Sequence, residues 1–153
     1  MNTSTDRIER KIVLQATRAR VWRALTQIEE FNRWFGVQLE GTRFVPGERF
    51  TGRITHPGYE HLTMELTIEK SEPEKLLSWR WHPNAVDPKV DYSSEPTSLV
   101  EFRLEDVVGG TSLTVVESGI DQIPVERRLQ VFRMNSQGWE IQLNNIEKHV
   151  ATT

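Results

Sequence analysis

The stretch from Val125 to Val150, VERRLQVFRMNSQGWEIQLNNIEKHV, decides the fold because it carries the longest helical pattern in the chain. Its apolar residues recur at steps of three and four, the spacing that places side chains on one buried face of a helix. They are Val125, Leu129, Phe132, Trp139, Leu143, Ile146 and Val150. Ser136 interrupts this stripe, and Gly138 adds no bulk beside it. We therefore predict a helix of about 25 residues, roughly 37 Å long, with a thin centre.

The chain before this helix is predicted to form seven strands and two short helices. RIERKIVL (7–14) alternates apolar and polar residues, as a strand with one buried face does. VWRALTQIEEFNRWF (21–35) changes to helical spacing, with Thr17 as the expected N-cap. Six further alternating runs follow, separated by turn sequences such as Pro46-Gly47, Pro57-Gly58 and Gly109-Gly110. This order predicts an α+β fold in which the C-terminal helix covers one face of an antiparallel sheet.

Alternation along the strands assigns side chains to the two faces of this sheet. The inward face is predicted to hold Phe50, Ile54, Leu62, Met64, Leu66, Ile68, Leu77, Trp79, Trp81, Val100, Phe102, Leu104, Leu113 and Val115. The outward face is predicted to hold Thr63, Glu65, Thr67, Glu69, Ser78, Arg80, Glu101 and Arg103. The long segment from His82 to Pro96 interrupts the strands, and loops of this length are often functional. We expect it to act as a lid.

Composition limits the classes of function. A net charge of -3, with both signs interspersed, provides no basic surface for nucleic acid. No apolar run approaches the roughly 18 residues needed to span a bilayer, and the N-terminus lacks the apolar segment of a secretory signal. The absence of cysteine excludes disulfides and thiol catalysis. We expect a single cytoplasmic domain over residues 1–153, with residues 1–7 as a disordered tail and with no membrane insertion.

The thin centre of the helix predicts a cavity above the sheet. A serine at this position is too short to reach the strands, so room remains between helix and sheet. The expected apolar lining is Met64, Trp79, Trp81, Phe102 and Trp139, with Phe132, Asn135 and Ser136 contributed by the helix. In the alternative interpretation, Ser136 marks a close approach of helix and sheet, and large residues opposite it fill the space.

Few polar residues fall near this predicted interior. Arg10 lies on the apolar face of the first strand, and Glu117 continues the inward positions of Leu113 and Val115. The two could orient a polar end of a ligand, pair with each other, or lie at strand ends with their charges in water. Arg128, Asn135 and Gln142 recur at steps of seven along one flank of the helix, and they could bind a ligand, hold the 82–96 loop or face solvent.

Motifs for metal binding and catalysis are not evident. In HPGYEH (56–61) the spacing does not fit a zinc motif, and Pro57-Gly58 prevents the helix that such a motif needs. The sequence contains no G-x-S-x-G, and its four histidines are scattered. Gly109-Gly110 joins two strands, whereas a phosphate loop would precede a helix. We therefore expect no metal and no cofactor, and the sequence favours binding over catalysis.

Three stretches resemble a known family: VWRALTQIEEFNRWF (21–35), LLSWRWHP (76–83) with EPTSLVEFRL (95–104), and ESGIDQIPVERR (117–128) with NSQGWEIQLNNIEKHV (135–150). They resemble the START-like superfamily of helix-grip proteins and, within it, bacterial relatives of the C-terminal domain of the activator of Hsp90 ATPase. The similarity extends over about residues 8–150. It implies a curved antiparallel sheet that grips the C-terminal helix, and a cavity that in many members accepts a lipophilic molecule. The chain shows no motif diagnostic of the superfamily's cyclases or lipid carriers. We expect it to lack the additional N-terminal domain through which the eukaryotic activators engage Hsp90, and this expectation argues against ATPase activation.

Together, these observations predict non-catalytic binding of a small apolar or amphipathic molecule between sheet and helix. The expected ligand-binding residues are Met64, Trp79, Trp81, Phe102, Glu117, Phe132, Asn135, Ser136 and Trp139. One alternative is a protein-interaction module, such as a chaperone accessory of the Hsp90-activator type, and a homodimer partner is also compatible with exposed edge strands. A weaker alternative is a cyclase-like or hydrolase-like enzyme that uses the same cavity.

Overall fold

The computed structural model describes residues 6–83 and 89–151. The strands are β1 (Arg7–Leu14), β2 (Val37–Leu39), β3 (Arg49–Ile54), β4 (Thr63–Glu72), β5 (Leu76–Trp81), β6 (Ser98–Val107) and β7 (Gly110–Ser118). The helices are α1 (Arg18–Thr26), α2 (Ile28–Phe35) and α3 (Val125–Ala151), and a short 3-10 helix (Ile120–Gln122) precedes α3. Of the predicted N-terminal tail, residues 1–5 lie outside the described residues, whereas Arg7 begins β1.

The seven strands form one antiparallel sheet in the order β1-β7-β6-β5-β4-β3-β2. Consecutive strands are neighbours except that β1 pairs with β7, from Arg7 opposite Ser118 to Leu14 opposite Thr111. This closing pair leaves β1 and β2 at the two edges and curves the sheet around α3. The predicted α+β helix-grip fold is confirmed, including the two short helices after the first strand and the number of strands.

Alternation along the strands produces the buried face of the sheet. Leu66, Ile68, Leu77, Val100 and Leu113 point inward as predicted and are buried. The predicted exposure of the outer face to water is wrong at one position, because Ser78 is buried. Ser78 lies between Lys70 on β4 and Glu101 on β6 in the register of the sheet. Its short side chain is therefore covered by two long neighbours on the outer face.

The helices α1 and α2 close one end of the core. The Thr17 side chain accepts a hydrogen bond from the Arg20 backbone N–H at 3.1 Å, which confirms the predicted N-cap of α1. The helix α2 is capped at its C-terminus by Gly36, whose φ of 85° is the left-handed conformation that favours glycine. Phe31 and Trp34 are buried, and the Trp34 indole N–H donates to the Ala24 carbonyl at 2.8 Å. This arrangement points Phe35, the last residue of α2, towards α3.

The predicted packing of the first turns of α3 is wrong. Val125 and Leu129 are 71% and 67% exposed, and Val131 is the buried residue at this end. Two arginines in the first turn donate to backbone carbonyl groups outside the helix. Arg128 donates to the Ile123 carbonyl at 3.0 Å, and Arg127 donates to the Pro83 carbonyl at 3.3 Å. These bonds turn the arginine side of the helix inward, so Val125 and Leu129 face solvent. No helix in the described ranges is long and apolar enough to cross a membrane.

Candidate functional site

An aromatic cluster fills the space between the centre of the sheet and α3. Trp79 from β5, Phe102 from β6 and Trp139 from α3 are all buried. The Trp79 ring centroid lies 5.1 Å from that of Phe102, and Phe102 lies 5.7 Å from Trp139 in an edge-to-face arrangement. Such contacts stabilise a core beyond the burial of area alone. Three large rings therefore pack between the sheet and the centre of α3.

Glu117 lies at one side of this cluster and is completely buried. One carboxylate oxygen accepts hydrogen bonds from Asn135 Nδ2 at 2.9 Å and from Trp139 Nε1 at 2.8 Å. The other accepts from Trp81 Nε1 at 2.8 Å and from Ser98 Oγ at 2.5 Å. Four donors match the roughly four lone-pair sites of an ionised carboxylate, which accepts hydrogen bonds and donates none. Among the described residues, Glu117 has no salt bridge, so these dipoles alone compensate its burial.

Strand register and helix spacing explain why these donors meet at one carboxylate. Glu117 is opposite Val100 on β6, which places Ser98 on the same face and nearby. Ser98 is in turn opposite Trp81 on β5. Asn135 and Trp139 are four residues apart and therefore lie on one side of α3. The network thus ties three neighbouring strands to the helix that covers them.

A cavity of about 110 Å³ borders this network. Its lining consists of Phe35, Trp81, Asn135, Gly138, Trp139 and Gln142. The Trp81 and Trp139 rings stack with centroids 5.8 Å apart and planes 28° apart, and together they form one wall of the cavity. A Cβ atom added at Gly138 would have no heavy atom of another part of the chain within 4 Å. The missing side chain of Gly138 therefore creates the opening.

A larger groove of about 980 Å³ joins the cavity at Phe35, Gly138 and Gln142, which line both. It runs between α2, the β3–β4 loop and α3. Its surface includes Tyr59, Met134 and Ile141, which are 46–53% exposed although they are large and apolar. Clustered exposed apolar side chains mark binding surfaces more often than isolated ones do.

The structure brings together only part of the predicted site. Trp81, Asn135 and Trp139 line the small cavity, and Glu117 lies directly behind them. Met64, Trp79, Phe102, Phe132 and Ser136 line neither this cavity nor the groove. Ser136 Oγ is buried and has no hydrogen-bond partner in the described part of the chain. The opening is thus centred on Gly138, two residues beyond the position that the sequence indicated.

The polar residues whose roles the sequence left open are now placed. Glu117 is inside the protein, whereas Arg10 pairs with Glu140 near the surface, at 3.2 Å. The pairing of Arg10 with Glu117 and the solvent-exposed placement of Glu117 are therefore wrong. On the flank of α3, Arg128 binds the Ile123 carbonyl and Gln142 Nε2 donates to the Phe35 carbonyl at 2.9 Å. This flank is therefore engaged with the protein.

Sequence reasoning missed three contributors to the site. Ser98 continues the inward alternation of Val100 and Phe102, so its burial beside a carboxylate could have been inferred. Phe35 was not among the predicted site residues, because its position depends on how α2 ends. The sequence shows that Gly138 adds no bulk. It does not show that Gly138 faces the cavity, because that depends on how α3 packs against the rest of the protein.

The first turn of α3 is attached to the segment that follows β5. Arg127 forms a salt bridge with Glu95 at 2.7 Å, and its guanidinium lies 4.6 Å from the centroid of the Tyr92 ring. His82 Nε2 lies 3.0 Å from the Glu95 carbonyl oxygen. The described parts of the predicted lid are therefore joined to each other and to α3. The remainder, residues 84–88, lies outside the described residues.

The last turns of α3 are attached to the first two helices by a charged cluster. Glu30 accepts hydrogen bonds from Arg20 at 2.7 Å and from Arg23 at 3.0 Å, and His149 Nε2 lies 2.9 Å from it. Burial raises the pKa of Glu30, but the hydrogen bonds from His149 and Arg20 and the charges of Arg20 and Arg23 outweigh burial and hold it below 4.5. The ionised carboxylate therefore helps to hold α3 in place.

No set of three or more His, Asp or Glu side chains in residues 6–83 and 89–151 is placed to hold a metal ion. In the 56–61 segment, Glu60 accepts from the Gly58 backbone N–H at 2.7 Å, which is a turn contact.

The fold and the position of the cavity define a class, the helix-grip proteins with a sheet wrapped around a C-terminal helix. The sequence model of the family described as Activator of Hsp90 ATPase homolog 1-like protein matches residues 15–151, and the chain belongs to this family. No curated protein matches the chain.

Several solved structures share this fold. Protein MLL2253 from Mesorhizobium loti has a TM-score of 0.75 at 23% identity, over 96% of this chain and 98% of its own. Protein NE0264 from Nitrosomonas europaea has a TM-score of 0.74 at 19% identity, over 99% and 97%. The Aha1 dimer from Colwellia psychrerythraea has a TM-score of 0.68 at 17% identity, over 94% and 95%. At these identities the similarity supports the fold alone.

Proposed function

We propose that this protein binds a small apolar or amphipathic molecule in the groove between α2, the β3–β4 loop and α3, without chemical conversion. One observation carries the proposal: the opening at Gly138 connects the groove to the stacked faces of Trp81 and Trp139. The groove volume of about 980 Å³ lies within the range of small-molecule sites. An apolar ligand there would cover Met134 and Ile141, which are otherwise exposed to water.

The Glu117 network supports this proposal because it fixes the aromatic wall before a ligand arrives. Both indole N–H groups of the wall are bound to one buried carboxylate, so neither ring rotates without breaking a hydrogen bond. A rigid wall reduces the entropy lost when a ligand binds. It also leaves only the apolar faces of the two rings for a ligand to contact.

The buried pair of Ser98 and Glu117 favours binding over catalysis. A serine hydroxyl beside a carboxylate has the residue types of a nucleophile and a base. However, both residues are 0% exposed, and the two tryptophan rings lie between them and the cavity. A ligand in the cavity would therefore contact the rings rather than the hydroxyl.

The proposal is tested by filling the cavity at Gly138. We would titrate the wild-type protein, Gly138→Phe and Gly138→Ala with N-phenyl-1-naphthylamine, a neutral dye whose emission rises in apolar surroundings. The alanine variant is the matched control, because its added Cβ enters open space. We expect affinity within about twofold of wild type for alanine and at least about tenfold weaker for phenylalanine.

Circular dichroism melts would establish that both variants remain folded. Equal affinity of folded Gly138→Phe and wild type would contradict the proposed site. Absence of saturable dye binding to the wild type would contradict the proposed function itself.

A second candidate function, a chaperone-accessory role, is favoured by family membership and by the exposed Val125 and Leu129. If this surface engages a chaperone, a Val125→Ser, Leu129→Ser double variant should lose any stimulation of an Hsp90 ATPase and retain dye affinity. Gly138→Phe should show the opposite pattern. Stimulation that is unaffected by the double variant would exclude this surface.

A further inference from the structure

Among the described residues that line the small cavity, one side-chain polar atom forms no hydrogen bond within the protein. Every other polar side-chain atom of these residues forms at least one. The Trp81 and Trp139 N–H groups and Asn135 Nδ2 donate to Glu117. Gln142 Nε2 donates to the Phe35 carbonyl, and Gln142 Oε1 accepts from Asn145 at 3.1 Å. What remains is Asn135 Oδ1.

Glu117 fixes which end of the Asn135 amide is free. A carboxylate whose two oxygens already accept from indole and hydroxyl groups requires a donor from Asn135, so the amide nitrogen faces Glu117. The amide oxygen must therefore point away from the carboxylate. An opposite assignment would place Oδ1 against a carboxylate oxygen at 2.9 Å, with no hydrogen between them.

Asn135 Oδ1 is also not completely buried. In the described part of the chain, the buried side-chain polar atoms without a partner are Trp79 Nε1 and Ser136 Oγ, so Asn135 Oδ1 is not closed off. No described residue donates a hydrogen bond to it. Asn135 lines the cavity between the two tryptophans and Gly138. An acceptor with an open lone pair in an apolar cavity selects ligands that bring a donor.

We propose that Asn135 Oδ1 determines ligand specificity: it accepts a hydrogen bond from an O–H or N–H group on a flat apolar molecule that lies against Trp81 and Trp139. This inference rests on the proposed function and adds the chemical class of the ligand. The preferred ligands are phenol-like or aryl-amine-like molecules. A molecule of the same shape that has no donor leaves the amide oxygen without a partner and binds less tightly.

The test compares two probes of nearly the same shape, 2-naphthol and 2-methoxynaphthalene, in competition with the neutral dye. In the wild-type protein we expect 2-naphthol to bind about three- to tenfold more tightly than its methyl ether, as one hydrogen bond supplies. In Asn135→Leu we expect this ratio to fall to about one. The ratio is compared within each variant, so a general change in packing affects both probes alike.

Asn144→Leu is the matched control. It makes the same substitution at an exposed position of α3 that lines neither the cavity nor the groove, so the ratio should stay at its wild-type value. Equal binding of both probes to the wild type would overturn the role of Asn135 and leave the proposed binding function intact. Retention of the preference in Asn135→Leu, or its loss in Asn144→Leu, would also overturn it. If neither probe displaces the dye, the proposed function fails as well.

Discussion

Replacement of Glu117 by glutamine should destabilise the protein although it removes a buried charge. The glutamine carbonyl oxygen can accept from two of the four donors. The amide NH2 cannot accept, so it brings hydrogens towards the other two donors. Each buried donor left without an acceptor costs about 1–3 kcal/mol, and relief of the buried charge offsets part of that cost. We expect a net loss of about 2–4 kcal/mol in the free energy of unfolding, which lowers Tm by roughly 5–15 °C.

Urea unfolding at about pH 7, followed by tryptophan fluorescence and by circular dichroism, would measure this loss. Glu140→Gln is the matched control, since it is the same chemical change at a carboxylate that is 62% exposed and pairs with Arg10. Its effect should stay below about 1 kcal/mol.

The variant should also alter the emission of folded protein, because both Trp81 and Trp139 lose or exchange a partner. Equal unfolding free energies for Glu117→Gln and wild type, within about 0.5 kcal/mol, would refute the assignment of Glu117 as the shared acceptor.

Three further predictions concern stability. Gly138→Ala should stabilise α3 by about 0.5–1 kcal/mol, since its Cβ enters open space; a thermal melt checks this, and destabilisation would mean that the space is filled. Ser136→Ala should leave stability unchanged or raise it by up to about 1 kcal/mol in the same assay, because Oγ has no partner among the described residues; a clear loss would reveal one. Glu30→Gln should cost about 1–2 kcal/mol at about pH 7. The pKa of Glu30 is held below 4.5, so its contribution is complete above that value and is lost as pH falls through the lower pKa of the folded protein. Urea unfolding at about pH 7 and about pH 3 should therefore show the difference between variant and wild type shrinking, and a constant difference would contradict the cluster's role.

The architecture could be predicted from the sequence because it depends on periodic signals. Alternation placed Leu66, Ile68 and Leu113 on the inner face, and turn pairs separated the strands in the correct order. Each of these signals is repeated many times along the chain, so one exception such as Ser78 does not change the result.

The site could be predicted only in part because it depends on the rotation of a single helix. The predicted buried face of α3 is correct from Trp139 to Val150. Val125 and Leu129 face water instead, because arginine contacts hold the first turns of the helix. A helix pattern alone does not show such a change of packed face. The opening therefore lies at Gly138, whereas the sequence predicted it at Ser136.

Glu117 illustrates a different limit. Alternation placed it inward, while the rarity of buried charges argued for a placement in water. Glu117 is buried because four donors from β5, β6 and α3 converge on its carboxylate, and this convergence arises only in the tertiary structure. No local pattern in the sequence reports it.

We propose that a ligand enters the opening at Gly138 and contacts the paired tryptophans. Two-dimensional amide NMR during titration with the neutral dye tests it most directly, because tryptophan indole N–H groups give separate resonances. Addition of dye should shift the Gly138 amide and the Trp81 and Trp139 indole signals, while that of Trp22, which borders a different surface, stays in place. Saturable shifts confined to Trp22, or none at Trp81 and Trp139, would contradict the claim.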